Sequence, residues 1–338
     1  MRAVVLVGGF GTRLRPLTLD VPKQMLPVAG ITMFERVVHS LHECGVDEVV
    51  VSLGYRPDAF MTAFPDAVCA GVRLNYAVED SPLDTAGAIR FAALQCGVDD
   101  TFLAINGDVL CDVDYSMLVQ VHRERGAQAS LHLVGVDDPS RFGVVPTDAD
   151  GRVIEFVEKP APGTAPTNMI NAGAYVLEPS VLDMISSTEP ESIERVTFPR
   201  LAQAGQLFAL GTDDYWIDAG THESYLRANL DILAGKRGGS VAPTATTSSI
   251  APDVVIANSM IGEACVIEAG CEVVNSVVMS GVTLRRDTTV HDSVIAADSI
   301  VEAGCELSDL TVVGFGETVP RGSRLRGELI PPRESWSR

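Results

Sequence analysis

The sequence predicts an α/β domain with a mixed, mostly parallel sheet, followed by a β-solenoid. Short β-branched runs alternate with longer amphipathic stretches from Met1 to about Gly235, and aliphatic residues then recur every six positions towards the C-terminus. A segment rich in turn-forming residues separates the two patterns. The chain has 338 residues, of which 46% are hydrophobic and 21% charged. It is therefore long enough for two globular domains, each with its own core.

The N-terminal half alternates between strands and helices. The run AVVLV (3–7) predicts the first strand, and MFERVVHSLHECG (33–45) predicts a helix that ends at a glycine. Further strands are expected in DEVVVSLG, VRLNYAV and TFLAING, with a helix from Thr85 to Cys96 before the last of them. This alternation is typical of a layered domain with a largely parallel sheet. The segments ASLHLVGV and GVVPTDADGRVIEFVEK predict a strand and a hairpin, which makes the sheet mixed.

The boundary between the two domains is expected at residues 236–249. The segment GKRGGSVAPTATTSS carries turn formers and small polar residues without periodicity, which is typical of a linker. We therefore predict one domain at residues 1–235 and a second at residues 250–338.

The second domain repeats with a period of six. Two runs of aliphatic residues, separated by one phase slip, follow this spacing: Val255, Ile261, Ile267, Val273 and Met279, then Ile295, Val301, Leu307, Val313 and Val319. Helices and single strands do not hold such a period, so the repeat predicts a β-solenoid. Cys265, Cys271 and Cys305 share one slot of the repeat and are expected to be small packing residues.

Charge and cysteine content restrict the class of function. The formal net charge of −20 argues against binding of nucleic acid, which requires a basic face. No apolar run approaches the ~18 residues of a membrane span, and no leader peptide is recognisable before the first strand. The seven cysteines form no CxxC pair or His/Cys cluster, which indicates reduced thiols rather than a zinc site. We expect a cytoplasmic protein that does not contact membranes.

A glycine-rich loop follows the first strand directly, in the segment VGGFGTRLRPLTLDVPKQMLP (7–27). Gly8, Gly9 and Gly11 allow close backbone approach, so that peptide N–H groups can surround a phosphate. Arg13 and Lys23 add positive charge. The spacing is neither GxGxxG nor GxxxxGK[ST], which argues against a dinucleotide-dependent oxidoreductase and against a P-loop NTPase.

This loop resembles the signature of the nucleoside-diphosphate-sugar pyrophosphorylases, GGxGTRLxPLT followed by PK and a further proline. Four later segments resemble motifs of that family in the same order: INGDVL (105–110), FVEKP (156–160), NAGAYVLEP (171–179) and YWIDAGTHESY (215–225). The resemblance covers nearly the whole chain. It implies a Rossmann-like nucleotidyltransferase sheet and a C-terminal left-handed β-helix. It also implies an enzyme that joins a nucleoside triphosphate to a sugar 1-phosphate and releases pyrophosphate.

The resemblance implies a role for each motif residue. Arg13 would hold the phosphates and the leaving pyrophosphate, Lys23 would contact the α-phosphate, and Asp108 and Asp218 would bind Mg²⁺, with Arg13, Lys23 and Asp108 as the catalytic residues. The nucleotide site would comprise Leu6, Gly8, Gly9, Gly11, Thr12, Arg13, Glu79, Asp84, Thr85 and Gly107. The sugar 1-phosphate site would comprise Gly143, Glu158, Lys159 and Asn171. The structural alternatives are a turn at Asp108, a helix cap at Asp218 and an exposed ion pair between Glu158 and Lys159.

The segment AVEDSPLDTAGA (77–88) bears on which nucleotide base the enzyme would bind. Guanine presents two donors, which suit a carboxylate, and Glu79 and Asp80 stand where a pyrimidine enzyme would be expected to offer an amide. The sequence LVGG at the start of the first loop also resembles the start of the same loop in guanylyltransferases. GTP and mannose 1-phosphate are therefore the expected substrates. The alternatives are a glucose-1-phosphate thymidylyl- or uridylyltransferase, or a guanylyltransferase for an unusual sugar or cyclitol phosphate.

Three positions depart from the family pattern. Asp84 replaces a common glycine, and Gln24 and Thr32 replace common prolines. These departures bear on the substrate rather than on the reaction, because the phosphate and metal residues are all retained.

Two hypotheses of other classes remain. A non-catalytic regulatory subunit of the same fold would be expected to lose one of the residues that bind phosphate or metal. This chain retains all four of them. An acyltransferase β-helix would need a basic residue in an intersubunit cleft, and this β-helix has the single histidine His291. We therefore expect the β-helix to serve packing and homo-oligomerisation.

Overall fold

The computed structural model describes residues 1–54, 57–237 and 242–336. The helices are α1 (Met33–Glu43), α2 (Pro57–Ala63), α3 (Asp84–Gln95), α4 (Tyr115–Arg125), α5 (Phe198–Gln203) and α6 (His222–Leu233). The first strands are β1 (Arg2–Leu6), β2 (Pro27–Val28), β3 (Ile31–Thr32), β4 (Glu48–Leu53), β5 (Val68–Cys69), β6 (Val72–Val78), β7 (Phe102–Asn106), β8 (Val109–Cys111), β9 (Ala129–Gly135), β10 (Gly143–Val144), β11 (Val157–Glu158), β12 (Met169–Leu177), β13 (Leu207–Thr212) and β14 (Trp216–Asp218). The solenoid strands are β15 (Ser249–Ile250), β16 (Val255–Ala257), β17 (Met260–Ile261), β18 (Val266–Ile267), β19 (Glu272–Val274), β20 (Val277–Val278), β21 (Thr283–Leu284), β22 (Thr289–His291), β23 (Val294–Ile295), β24 (Ile300–Val301), β25 (Glu306–Ser308), β26 (Val312–Val313), β27 (Thr318–Val319), β28 (Arg324–Arg326) and β29 (Leu329–Ile330).

Contacts between Cα atoms divide the chain into two compact units. Unit 1 consists of Met1–Gly9 and Phe34–Trp216, and unit 2 consists of Phe10–Met33 and Ile217–Arg338. Part of the predicted linker, at 238–241, lies outside the described residues. The domain boundaries expected from the sequence therefore stay a prediction.

Unit 1 is built on a mixed sheet, as predicted. Its strand order is β11-β10-β12-β7-β1-β4-β6-β5, and β9 pairs with both β12 and β13. Strands β7, β1, β4 and β6 are parallel neighbours, whereas β12 runs antiparallel to β7 and β9. The predicted hairpin forms through antiparallel pairing of β10 with β11. The central strands β1 and β7 are fully buried over most of their length, which is typical of a sheet covered on both faces.

Helix α3 lies close to the central sheet because its buried face carries small side chains. Ala86, Ala92 and Ala93 are fully buried with Ile89, and α3 contacts β1 and β4. The carboxyl ends of the parallel strands meet at one edge, where Leu6 stands between Ser52 and Asn106 in the register. Open α/β sheets bind ligands at this edge.

Unit 2 contains the β-helix. Its strands form three parallel sheets of five strands each, β15-β18-β21-β24-β27, β16-β19-β22-β25-β28 and β17-β20-β23-β26-β29. Hydrogen bonds such as that from Ser276 N–H to Ser259 Oγ join residues 17 positions apart, so most turns take 17 residues. The expected left-handed β-helix is thereby confirmed.

The inward side chains of the β-helix correct the sequence register at two positions. The buried core contains Ile261, Ile267, Val273, Val278, Leu284, Val290, Ile295, Val301, Leu307, Val313 and Val319. Val255, which follows the six-residue spacing, is 53% exposed, and its neighbour Ile256 packs on the core instead. Met279 also follows the spacing, but Val278 takes the core position. A turn of 17 residues contains spacings of six, six and five, so the phase slips in each such turn rather than once.

The cysteines of the repeat are buried packing residues, as predicted. Cys265 and Cys305 share a slot with the buried Ser259 and Ser276, two positions before an inward aliphatic residue. Ser259 Oγ lies 2.8 Å from the Ala257 carbonyl and 3.2 Å from a backbone carbonyl one turn ahead, and Cys265 Sγ lies 3.1 Å from the equivalent carbonyl ahead of it. The slot therefore selects a small side chain that can donate a hydrogen bond to the backbone.

Residues 10–33 of unit 2 are attached to α6. The Ala29 N–H donates to Asn229 Oδ1 at 2.8 Å, both groups being buried, and the Tyr225 hydroxyl donates to the Pro27 carbonyl. Helix α6 in turn contacts β17 of the solenoid. The loop that carries Arg13 and Lys23 thus belongs to one packed body with α6 and the β-helix. Within the described part of the chain, no helix is long and apolar enough to cross a membrane.

Candidate functional site

The part of the glycine-rich loop that belongs to unit 2 depends on Gly11. This residue has φ 57° and caps the short 3-10 turn Thr12–Leu14. A Cβ atom at Gly11 would lie 3.1 Å from Thr18 Cγ2, and the Thr18 hydroxyl already donates to the Gly11 carbonyl at 2.7 Å. A side chain at this position would therefore meet both backbone strain and a close contact. The turn places the Arg13 side chain.

Two cations converge on one carboxylate within unit 2. Lys23 Nζ lies 3.1 Å from Asp218 Oδ1, and Arg13 Nη2 lies 3.8 Å from Asp218 Oδ2. The Lys23 side chain is only 6% exposed, so its ammonium requires a carboxylate partner at this depth. The Arg13 side chain is 60% exposed and can reach an anion from solvent. Three of the predicted site residues are thus brought together from segments almost 200 residues apart.

Gly220 borders this group and was not anticipated from the sequence. A Cβ atom at this position would lie 2.7 Å from Asp218 Oδ1, 2.8 Å from Arg13 Nη2 and 3.1 Å from Lys23 Nζ. Only a hydrogen atom fits among the three charged groups. The sequence signal was its place two residues after Asp218.

Asp218 does not cap α6, which was the structural alternative. The N-cap is Thr221, whose Oγ1 accepts from Ser224 N–H at 3.2 Å, while Ser224 Oγ accepts from Thr221 N–H at 3.1 Å. This reciprocal pair is a capping box. The Asp218 carboxylate is therefore engaged by Lys23 and Arg13 and not by the helix end.

Asp108, in unit 1, lies in a turn between β7 and β8. The Gly107 N–H donates to the Leu6 carbonyl at 2.9 Å, and a Cβ atom at Gly107 would lie 2.9 Å from that oxygen. The chain at Gly107 therefore passes too close to β1 for any side chain, which fixes the turn at the carboxyl edge of the sheet.

The donor chemistry of Asp108 and Asp218 fits a hard divalent cation, whose preferred ligands are carboxylate and phosphate oxygens. Beside Asp218, the missing side chain of Gly220 leaves room where a Cβ atom would collide. The ranges that the structure describes contain no group of three or more His, Cys, Asp or Glu side chains arranged to hold a metal. A cation at either carboxylate would therefore take further ligands from phosphate oxygens and water.

Glu79 follows β6 at the same edge of the sheet in unit 1. Its Oε1 accepts from the Ser52 hydroxyl at 3.0 Å, and its Oε2 accepts from Leu83 N–H at 3.2 Å. Ser52 is the register partner of Leu6 on β1. The two donors fix the orientation of the carboxylate, and each oxygen keeps a further lone pair for a ligand.

Asp84 and Thr85 begin α3, and their side chains are held within unit 1. Asp84 has φ 58°, a conformation that favours glycine, and its Oδ2 accepts from Arg195 Nη2 at 2.8 Å. The ion pair compensates for a residue that departs from the family's usual glycine. Thr85 Oγ1 donates to Glu194 Oε2 at 2.7 Å.

The sugar-site residues of the predicted hairpin come together as β10 pairs with β11. Gly143 faces Glu158 in the register, and a Cβ atom at Gly143 would lie 2.7 Å from the Phe156 ring and 3.0 Å from Glu158 Oε2. Lys159 Nζ lies 3.0 Å from Glu158 Oε1, and the Lys159 side chain is largely exposed. Glycine at 143 is therefore required by close approach of the opposite strand.

Asn171 lies on β12, where the register with β9 shifts between Asn171 and Tyr175. Asn171 Oδ1 accepts from Gly173 N–H at 3.1 Å, and Nδ2 donates to the Tyr175 hydroxyl at 2.8 Å.

The space beside Gly8 and Gly9 of the glycine-rich loop is not filled, since a Cβ atom at either residue would meet nothing within 4 Å. Sequence reasoning did not identify Tyr175 or Glu194, although Tyr175 lies inside the motif NAGAYVLEP.

Comparison with known proteins gives two family matches. The model described as nucleotidyl transferase matches residues 2–235, and the model described as GMPPB C-terminal domain matches residues 240–337.

Curated relatives and solved structures agree with these matches. Mannose-1-phosphate guanylyltransferase of Mycobacterium tuberculosis is 37% identical over 292 residues, which is 83% of this chain and 80% of the relative. Mannose-1-phosphate guanylyltransferase 1 of Arabidopsis thaliana is 35% identical over 336 residues, 93% of this chain and 91% of the relative. The crystal structure of HddC from Yersinia pseudotuberculosis complexed with GMP-PN superimposes with a TM-score of 0.59 at 30% identity, over 68% of this chain and 99% of that chain. This chain therefore belongs to the nucleotidyl transferase family and is an enzyme of that kind.

Proposed function

We propose that this enzyme transfers GMP from GTP to mannose 1-phosphate and releases pyrophosphate. The observation that carries the reaction class is the convergence of Arg13 and Lys23 on Asp218 beside Gly220. The choice of guanine and mannose is supported by relatives named mannose-1-phosphate guanylyltransferase and by the HddC complex with GMP-PN.

The chemistry requires no covalent nucleophile on the protein. A phosphate oxygen of the sugar 1-phosphate forms a bond to the α-phosphorus as the bond to the pyrophosphate oxygen breaks. Catalysis then consists of positioning the two anions and neutralising charge in the transition state. Lys23, held by Asp218, offers a fixed ammonium to the α-phosphate. Arg13, which is mostly exposed, binds the β- and γ-phosphates and releases them as pyrophosphate.

We also propose Mg²⁺ as the divalent cation, with Asp108 and Asp218 as its protein ligands. When bound, the cation supplies positive charge beside the phosphate oxygens. Lys23 and Arg13 orient the Asp218 carboxylate, and the Gly107 turn orients Asp108.

Glu79 is the proposed reader of guanine. Ser52 and Leu83 each donate to one of its oxygens, so the remaining lone pairs point in fixed directions. Guanine N1–H and its exocyclic amine donate to such a carboxylate, whereas thymine and uracil would present carbonyl lone pairs to it. Backbone contacts with the nucleotide are assigned to Leu6, Gly8, Gly9, Gly11, Thr12 and Gly107.

The sugar 1-phosphate is proposed to bind at the hairpin and at β12. Glu158 accepts hydrogen bonds from sugar hydroxyls, and Lys159 pairs with the phosphate. The Asn171 amide donates one N–H to Tyr175, so we assign its second N–H to the sugar. Its oxygen accepts from Gly173 N–H and keeps a second lone pair for a sugar hydroxyl. We further propose a cytoplasmic homo-oligomer, since all seven cysteines are thiols and the β-helix exposes the aliphatic side chain of Val266.

Pyrophosphate release across four nucleoside triphosphates and a panel of sugar 1-phosphates, with Mg²⁺ and with a chelator, tests this proposal. We expect GTP to exceed dTTP and UTP by roughly tenfold to a hundredfold in kcat/KM, because a mismatched base leaves buried polar groups unpaired. Glu79→Gln should erode this preference more than it lowers the best rate. Asp84→Gly tests the other carboxylate of the predicted nucleotide site: if Asp84 rather than Glu79 contacts the base, Asp84→Gly will shift the preference and Glu79→Gln will not. A wild-type preference for dTTP or UTP would contradict the guanine assignment.

A further inference from the structure

One face of the β-helix is covered by other parts of the chain. On the sheet that begins with β17, the residues Val277, Val294 and Val312 alternate with inward core residues and therefore face outward, yet they are 3% exposed or less. The outward residues Val255 and Val266 of the other two sheets are 53% and 41% exposed. Helix α6 contacts β17 at one end of the covered face. This face is therefore an internal interface of the protein.

The glycine-rich loop reaches the other end of the same face at Gly314, which follows β26. A Cβ atom at Gly314 would lie 3.2 Å from Pro16 Cβ and 3.3 Å from Pro331 Cδ. Gly314 does not have a left-handed backbone, so the absence of a side chain is explained by this close approach. Its N–H donates to the Ile330 carbonyl at 2.6 Å, and its carbonyl accepts from Ser299 Oγ at 2.7 Å. The β-helix thus holds Gly314 in place as a fixed support for Pro16.

Hydrogen bonds make the supported part of the loop a single body. Leu14 N–H donates to the Gly11 carbonyl and Leu17 N–H to the Leu14 carbonyl, both at 2.9 Å. The Thr18 hydroxyl closes the segment by donating to the Gly11 carbonyl at 2.7 Å. Leu14 and Leu17 are fully buried, and Thr18 is 2% exposed. Arg13 lies inside this bonded segment, as does the proline that contacts the β-helix, so a displacement of the proline is passed to Arg13.

The Arg13 guanidinium has little room to absorb a displacement. Its Nη2 lies 3.8 Å from Asp218 Oδ2 and would be 2.8 Å from a Cβ atom at Gly220. Misplacement of a positioning group by about 1 Å can lower a rate by about a hundredfold, so a shift of a few tenths of an ångström should cost about tenfold. The contact between Pro16 and Gly314 is therefore close enough to Arg13 in mechanical terms to affect the reaction.

We propose that Pro16 and Gly314 are positioning residues through which the β-helix holds Arg13 in register with the pyrophosphate group. The inference rests on the proposed function, in which Arg13 binds the β- and γ-phosphates. It gives the last turns of the β-helix a part in the reaction, in addition to packing and assembly.

Gly314→Ala tests the contact in the full-length protein. The reverse reaction, in which pyrophosphate attacks the sugar nucleotide, isolates the group that Arg13 is proposed to bind. The added methyl group should push Pro16 away and raise KM for pyrophosphate by about tenfold. KM for the sugar nucleotide should change by less than about twofold, because its proposed contacts are Lys23 and residues of unit 1.

A matched control separates positioning from stability. Val313→Ala shortens the neighbouring side chain, which points into the solenoid core, and leaves Pro16 and Gly314 unchanged. It should lower the midpoint of thermal unfolding and leave both KM values at the wild-type level. Circular dichroism shows that each variant is folded at the assay temperature.

A double variant shows whether the effect passes through Pro16. Pro16→Gly removes the ring that faces Gly314 and should itself raise KM for pyrophosphate. Gly314→Ala should then cause no further increase, because the added methyl group no longer meets the ring. If Gly314→Ala does not fold, Pro16→Gly and Val313→Ala decide the question by the same two KM values.

The outcomes distinguish this inference from the substrate assignment. If the panel of nucleotides and sugars shows another preferred pair, the KM values are measured with pyrophosphate and the product of that pair. A wild-type KM for pyrophosphate in Gly314→Ala or in Pro16→Gly overturns the inference. An equal rise in Val313→Ala, an equal rise for the sugar nucleotide, or multiplied effects in the double variant do the same.

Discussion

At the scale of single residues, the group formed by Arg13, Lys23 and Asp218 shows how a glycine can serve a charged site. The Asp218 carboxylate compensates for a buried lysine and orients an exposed arginine. Gly220 keeps the space among them free of carbon atoms. In the proposed reaction, an incoming phosphate exchanges with the carboxylate as the partner of the two cations.

Gly220→Ala tests this interpretation. The added Cβ would lie within 3.1 Å of all three charged groups, so Lys23 and Arg13 must move from the positions proposed to bind phosphate. We expect kcat to fall by roughly a hundredfold, which corresponds to about 3 kcal/mol of lost transition-state stabilisation. Pyrophosphate release and thermal unfolding are measured together. Gly135→Ala is the control, because its Cβ would make ordinary contacts, 3.4 Å or more from its neighbours. Undiminished turnover in Gly220→Ala would contradict the interpretation that Lys23 and Arg13 need the space beside Gly220 to bind phosphate.

Family motifs identified residues inside the motifs but not their partners in segments that carry no motif. Arg13, Lys23 and Asp218 were selected from family motifs, and the structure brings them together. Glu194 could not be selected, because its segment carries no motif and its partner Thr85 is 109 positions away in the chain. The ion pair that supports Asp84 depends on Arg195, 111 positions away, and is equally invisible in the sequence.

At the scale of elements, a buried histidine joins strands of unit 1. His132 on β9 is completely buried, with Nε2 2.7 Å from Thr212 Oγ1 and 3.4 Å from Asp214 Oδ2. Its Nδ1 lies 3.7 Å from Cys111 Sγ at the end of β8. Burial lowers the pKa of His132 to about 4, although the Asp214 carboxylate acts in the opposite direction. The histidine is therefore neutral in the folded protein at neutral pH.

This histidine predicts a loss of stability in mild acid. In the unfolded chain its pKa returns to about 6.5, so between about pH 4 and 6.5 the unfolded state binds more protons than the folded state. The free energy of unfolding should therefore decrease as the pH falls through that window. In His132→Gln this decrease should be smaller, as measured by urea unfolding at pH 7.5 and pH 5. His39→Gln, which changes an exposed histidine, should retain the wild-type difference. An unchanged pH dependence in His132→Gln would contradict the assignment.

Secondary structure was predictable because periodicity is local. The helix expected from Thr85 to Cys96 spans Asp84–Gln95. The expected hairpin exists, but its strands are reduced to Gly143–Val144 and Val157–Glu158. The Cys111–His132–Asp214 connection could not be predicted, because it depends on which strands become neighbours.

At the scale of the whole molecule, the contacts divide the chain differently from the periodicity. Phe10–Met33 belongs to the same unit as α6 and the β-helix, although it follows the first strand of the α/β sheet in sequence. The hydrogen bond between Ala29 and Asn229 spans 200 positions, and no sequence pattern predicts it. The solenoid was recognisable from its six-residue period, whereas its turn of 17 residues became evident only from strand pairing.

Two aliphatic residues of the β-helix follow the same six-residue spacing in the sequence but differ in burial. Ile267 is 1% exposed and packs in the solenoid core, whereas Val255 is 53% exposed. Ile267→Asp places an unpaired carboxylate among aliphatic side chains and should cost about 3 kcal/mol or more, while Val255→Asp should change stability by about 0.5 kcal/mol or less. Thermal unfolding followed by circular dichroism measures both variants, and pyrophosphate release below the unfolding transition reports on the active site. Equal stability of the two variants would show that the corrected register is wrong.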